Sequence, residues 1–351
     1  MTSNIMTRVH GLGIVLVLVL LIVAFSIMSP NFLDANNLFN ILRQVTTLGI
    51  VAVGFAFVLL TGGIDLSVGY QVSLYVVVCG MLMSQFDVPW PLAIVLVLVL
   101  GLGIGLINGL IITFTGVAPL IVTLSMMTIL NGVSYLLSKG LPISGFPREF
   151  SVLGQGSLGV IPISVIVLAL VWGIGYFIAN KTSTGRYFYA IGNNVEAARL
   201  SGVNTRRTLL FVYAVCGLFT AIGAVLLLSR LNSAQSATGA GFEFSVLTAC
   251  VLGGVSVMGG RGSLFGAFIG VLIVGVLDNG LVLLNVSEYV QLVIKGVILL
   301  TAVIYDAMSK NSGGRRKQIG GVSIGGGKGD QHDKTGEQNA VPAGTGPAAT
   351  A

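Results

Sequence analysis

The chain has 351 residues, of which 54% are apolar and only 9% charged; mean hydropathy is +0.96. Soluble domains carry about a quarter charged residues, so this composition excludes a soluble enzyme or a soluble binding module. The net charge of +6 sits at membrane edges and in the tail, which the positive-inside rule explains without nucleic acid.

Residues 1–10 are short and polar, and residues 12–28 form an apolar run of signal-peptide type. No small-residue cleavage site follows it, so it reads as an uncleaved first span. Residues 31–46 mix Asp34, Asn36, Asn37, Asn40 and Arg43 with Leu38, Phe39, Ile41 and Leu42. That pattern predicts a short amphipathic helix at the membrane interface. Further apolar runs cover 47–61, 66–84, 91–113, 118–137, 161–179, 209–228, 244–258, 263–284 and 289–306. Several approach the ~20 residues a helical span needs, and the shorter, glycine-interrupted ones suit broken or tilted helices. The expected fold is therefore an all-α polytopic membrane protein with about ten transmembrane helices.

Charge predicts the orientation. With the N-terminus inside, thirteen basic residues fall on inner segments and four (Arg43, Lys139, Arg148, Arg230) on outer ones. That favours both termini inside. Residues 1–310 then form a transmembrane domain, and 311–351, rich in Gly, Ser, Lys, Thr and Ala, a disordered cytoplasmic tail. The tail's GGGKG lacks the spacing of a phosphate-binding loop, because Val322 and Gly329 stand where glycine and a hydroxyl residue are required. Cys79, Cys216 and Cys250 lie in apolar runs, too far apart for a metal motif. His10 and His332 lie near the two ends, and no catalytic or cofactor constellation accompanies them.

The longest polar interval, 181–208, concentrates Lys181, Arg186, Arg199, Arg206 and Arg207. At its centre Asn194 can cap, 195–201 can form two turns, and Gly202 can close the end. Glu196 and Arg199 share one face. Two readings stand: a solvated loop with a helical turn, or a helix offered to a partner.

Two echoes mark an internal repeat. Gly62-Gly63-Ile64-Asp65-Leu66-Ser67-Val68 is matched by Ala240-Gly241-Phe242-Glu243-Phe244-Ser245-Val246, and Asn108-Gly109-Leu110 by Asn279-Gly280-Leu281. With ten alternating spans, spans 2–5 and 7–10 form an inverted repeat. Asp65 and Glu243 then stand at opposite faces of the membrane, each as a cap favoured by a helix N-terminus. Asp278 and Lys295 lie inside spans, where an ionisable group needs a cavity or a partner. Each can pair with the other, or with Asn279 or Gln291. Gly101, Gly105, Gly109 and Gly262, Gly266, Gly270 form faces for close helix packing, within the chain or between copies.

Three stretches, LLTGGIDLSVG (59–69), STGRYFYAIGNNVEAARLSGVN (183–204) and VLGGVSVMGGRGSLFGAFIGVLIVGVLDNGL (251–281), resemble the permease subunit of ribose-type sugar ABC importers. The likeness covers roughly 12–308. It implies a bacterial inner-membrane permease that pairs with a second permease copy or a paralogue. It implies a cytoplasmic ABC ATPase subunit, which binds ATP and Mg and leaves this chain without a cofactor, and a periplasmic substrate-binding protein. It further implies that 192–204 is the coupling helix, with Gly192, Asn194, Glu196, Ala197, Ala198, Arg199 and Gly202 at the ATPase contact. The chain departs from the pattern in having Asn194-Val195 where many relatives carry Glu directly after Gly-Asn, so Glu196 is the carboxylate left near the helix start. Gly62, Gly63, Asp65, Ser67, Glu243, Asn108, Asp278 and Asn279 are the gating candidates. The rival expectation is a secondary transporter driven by an ion gradient, for which Asp278 and Lys295 are the intramembrane candidates.

Overall fold

The computed structural model describes residues 2–319, with side chains from 13 to 308. In chain order the elements are α1 (Thr2–Met28), α2 (Ala35–Leu60), α3 (Val68–Ser84), α4 (Trp90–Thr115), α5 (Pro119–Ser138) and α6 (Arg148–Gln155). A two-stranded antiparallel hairpin follows, β1 (Ser157–Leu158) with β2 (Ile161–Pro162). Then come α7 (Ile163–Lys181), α8 (Ser183–Asn193), α9 (Val195–Leu200), α10 (Thr205–Leu231), α11 (Phe242–Leu252), α12 (Leu264–Leu283) and α13 (Glu288–Ile319). Among the described residues, seven helices are long and apolar enough to cross a membrane, and three shorter apolar helices accompany them: Gly13–Met28, Val68–Ser84 and Phe242–Leu252.

Two helices form the centre. In α2 every residue from Val45 to Leu60 is buried, and α10 is buried along most of its length. A helix apolar all round belongs in the interior, wrapped by others. The two touch where a Cβ on Gly54 would lie 2.7 Å from Cys216 Cα. The first glycine face packs α4 onto α10: Gly101 lies on the Gly217 carbonyl, Gly105 on the Tyr213 carbonyl and Gly109 against Leu210 Cα. The second face lies on α11 and the turn after it: Gly266 faces the Gly253 carbonyl and Gly270 the Ala249 carbonyl. Both faces therefore serve packing within the chain, although Gly262 sits in the turn before α12 with φ +134°.

Local expectations change at four places. The stretch 31–46 is not a separate interfacial helix: Asp34 caps α2, accepting from Asn36 N–H at 3.2 Å, and the helix runs on unbroken to Leu60. No glycine or proline interrupts it near Gln44, and its Asn-rich face is partly buried because Asn37 finds an amide partner in α12. Residues 183–193, read as polar loop, form α8, started by Thr182, whose Oγ1 accepts from Gly185 N–H. The unassigned region after α5 holds α6, tied to α10 by Ser229 Oγ, which accepts from Gly154 N–H at 2.7 Å and donates to the Phe150 carbonyl. At the C-terminal end α13 continues to Ile319, past the point where the tail is expected to begin; 320–351 lie outside the described residues.

Candidate functional site

Beyond Thr182, three caps shape the polar interval. Asn194 ends α8, its N–H bonded to the Ala190 carbonyl at 3.1 Å, and starts α9 by accepting from Ala197 N–H at 3.0 Å. Gly202, with φ +84°, closes α9, and Val203 N–H reaches back to the Ala198 carbonyl at 3.1 Å. Asn204 then caps α10 through Arg207 N–H at 3.0 Å. The expected helix is thus present with the expected cap. Ala198 points inward and is buried, while Glu196 and Arg199 form an exposed pair at 3.9 Å. Such a pair contributes little to stability. Beside it stand Val195, half exposed, and Leu200, 85% exposed. The outer face therefore combines an exposed apolar side chain with two opposite charges.

The base of this unit grips two chain breaks. The first, 61–67, separates α2 from α3; the second, 253–263, separates α11 from α12. Gly260 N–H bonds the Leu60 carbonyl at 3.0 Å, and a Cβ on Gly259 would lie 2.7 Å from Gly62 Cα. Gly192 lies on both, facing the Leu60 carbonyl and Gly260 N with no room for a side chain. Asn193 Nδ2 donates to the Tyr189 carbonyl at 2.8 Å and the Gly260 carbonyl at 3.4 Å, and Tyr189 Oη donates to the Gly262 carbonyl at 3.2 Å. Tyr189 and Asn193 were not legible as functional positions. The doublet Asn193-Asn194 was the available signal, because only one of its members is needed to cap.

Above the first break lies a buried polar layer. Asp65 accepts from Ser67 through both its backbone N–H and its hydroxyl. Gln71 Nε2 and Asn108 Nδ2 donate to Ser67 Oγ at 2.8 and 3.0 Å, and Tyr75 Oη donates to Gln71 Oε1 at 3.0 Å. Ser67, not Asp65, occupies the cap position of α3; Asp65 holds the turn that leads into it. Gly63 fits beneath Tyr213, whose hydroxyl would lie 2.5 Å from a Cβ there. The break is therefore fixed by neutral donors around one carboxylate.

Asp65 and Glu243 do not stand at opposite faces. The Glu243 carboxylate, in the first turn of α11, lies against Gly69, one turn beyond Asp65 in α3. The two helix starts meet because Gly69 and Gly239 let the backbones interlock, with Gly239 N–H bonded to Ser73 Oγ at 2.9 Å. Asp278 pairs with Lys295 across α12 and α13 at 3.0 Å. Asn279, next to it, instead exchanges two amide bonds of 2.9 Å with Asn37 of α2, and Gln291 bonds the Val286 carbonyl. Asp65, Ser67 and Asn108 are thus one cluster with Glu243 close by, while Asp278 and Asn279 belong to other contacts.

A family model described as "Branched-chain amino acid transport system / permease component" matches residues 37–303. The chain belongs to this permease family. It is 45% identical over 298 residues to the ribose import permease protein RbsC of Bacillus subtilis (strain 168), covering 84% of this chain and 92% of the relative. Likeness to the galactose/methyl galactoside import permease protein MglC of Escherichia coli (strain K12) is 40% over 320 residues, covering 85% and 94%. The probable ABC transporter permease protein YphD of the same strain is 36% identical over 312 residues, covering 89% and 93%. No solved structure matches. The resemblance to permeases of ribose-type sugar ABC importers therefore holds, and the permease is a multi-pass protein of the bacterial inner membrane.

Proposed function

We propose that this permease forms the membrane path of an ATP-driven importer for a sugar or sugar-like small molecule, handed over by a periplasmic binding protein. Its partners are a cytoplasmic ABC ATPase, which holds ATP and Mg, and a second permease copy or paralogue. The observation that carries the reading is α9: a capped helix with Leu200, Glu196 and Arg199 outward, standing on α8, which bonds the turn at the second break and packs Gly192 against the Leu60 carbonyl at the first. A push on α9 reaches both breaks through Gly192, Asn193 and Tyr189, so one contact can bias two arrangements of the path.

The topology we propose has ten spans, the seven long apolar helices crossing fully and the three shorter ones giving shorter or partial spans, with both termini inside and spans 2–5 inverted as 7–10. Its support is the repeated placement of parts. The fourth span, α4, packs by a glycine face on α10. Its counterpart α12 packs on α2, where Gly275 admits Val45 and Asn279 meets Asn37. The starts of α3 and α11 meet each other, as elements related by an axis within the membrane plane can.

Uptake of radiolabelled ribose or galactose by membrane vesicles carrying the permease, its ATPase and a binding protein tests the reading. Import that needs ATP, is stopped by vanadate and survives an uncoupler supports it. Import that collapses with the uncoupler and ignores vanadate supports the ion-driven rival instead, for which Asp278, paired with Lys295 at 3.0 Å, is the carboxylate to replace.

A further inference from the structure

At the end of the molecule formed by the start of α2 and the finish of α10, two adjoining cavities of about 310 and 560 Å³ share Asn40 and Arg43. Arg230 lines the second, and Ser157 and Val160 of the β1–β2 turn line the first. Among the described residues, no carboxylate lines either cavity. Arg43 Nη2 donates to the Gln155 carbonyl at 3.0 Å and to Ser157 Oγ at 3.4 Å, but its Nε is buried without an acceptor among the described residues. Two guanidinium groups share this space with amide donors and no counter-charge. Neighbouring like charges without a counter-charge favour an anion, and planar guanidinium forks match a carboxylate or a phosphate.

The rim is the second observation. The hairpin that supplies Ser157 and Val160 exposes Leu158, Val160 and Ile161, with Val160 77% exposed. On α2, Leu38 and Leu42 are exposed beside Phe39 and Arg43. Exposed apolar groups next to arginines at helix ends fit the boundary between hydrocarbon and water. A membrane lipid presents a phosphate and an acyl chain in one molecule, so it satisfies the arginines and the apolar rim together. A soluble anion would answer only the arginines.

We infer that Arg43 and Arg230 form a headgroup site for an anionic phospholipid, with the 158–161 turn seated among its acyl chains. This inference rests on the membrane location and is independent of the transport reading.

Native mass spectrometry of the delipidated full-length permease in detergent, titrated with phosphatidylglycerol, tests it. The wild type should retain the lipid against millimolar inorganic phosphate. The Arg43→Gln/Arg230→Gln double variant should lose occupancy by about ten-fold or more. Val160→Asp keeps both arginines and changes an exposed position, so it decides the matter if the double variant does not fold; it should also lose the lipid. Unchanged occupancy in the double variant, or in Val160→Asp where the double variant does not fold, overturns the site. Displacement by inorganic phosphate overturns the lipid assignment, and so does loss of binding-protein docking in the double variant with lipid occupancy intact.

Discussion

Gly192 packs against Gly260 so closely that neither has space for a side chain, and Gly260 in turn donates its N–H to Leu60. Three segments far apart in sequence thereby meet at one point: the end of α8, the turn after α11 and the end of α2. Because backbone atoms form this junction, side-chain repacking cannot absorb a disturbance there.

Gly192→Ala should consequently be far more damaging than a usual exposed-loop substitution. Its Cβ meets the Leu60 carbonyl and Gly260 N, and overpacking of this kind costs about 1–3 kcal/mol. The expected outcome is normal membrane insertion with a lowered melting temperature and weak uptake, read by fluorescence-detected thermal unfolding and vesicle import. Wild-type values for both would show that the junction gives way easily.

Ala198→Pro should remove the bond from Ala198 N–H to the Asn194 carbonyl, 3.0 Å, and disrupt a helix of only six residues. Transport and ATPase stimulation should fall while expression holds. Replacing Glu196 and Arg199 by Ala together should leave the helix in place, since their exposed pair at 3.9 Å adds little, yet it should weaken ATPase docking. Circular dichroism, thermal unfolding and pull-down separate the two effects.

Asn279→Ala should leave the Asn37 amide buried and half-bonded, because the pair exchanges two bonds of 2.9 Å. A stability loss of about 1–3 kcal/mol is expected. The Asn37→Ala/Asn279→Ala double variant should lose less than the sum of the single losses, and a double-mutant cycle on unfolding midpoints measures the difference.

Lys295→Met should strand the Asp278 carboxylate, now paired at 3.0 Å. Breaking one partner of a buried pair costs about 3–5 kcal/mol; the pair is only mostly buried, so the lower end applies. Adding Asp278→Asn should restore stability, and a double variant as unstable as Lys295→Met would contradict the pairing.

Periodicity and charge made the apolar runs legible, and the cap-and-glycine pattern located α9 to within a residue, because both signals are local. The merger of 31–46 into α2 was hidden: what buries Asn37 is Asn279, 242 positions away. The meeting of α3 with Glu243 was hidden for the same reason, since a glycine such as Gly69 announces that something comes close but not what does. In the candidate site, Asn194, Glu196 and Arg199 were readable from spacing. Tyr189 and Asn193 act through carbonyls of a distant turn, and a carbonyl acceptor leaves no mark on composition.

If α9 carries the ATPase contact, as we propose, Leu200, 85% exposed, is the position at which a substitution should be felt first. The direct test is co-purification of the ATPase subunit with a Leu200→Glu permease, alongside ATP-driven uptake in vesicles. Because Leu200 packs on little within the chain, the variant should insert and unfold like the wild type, while ATPase recovery and uptake fall together. Undiminished ATPase recovery and uptake in that variant would contradict the claim.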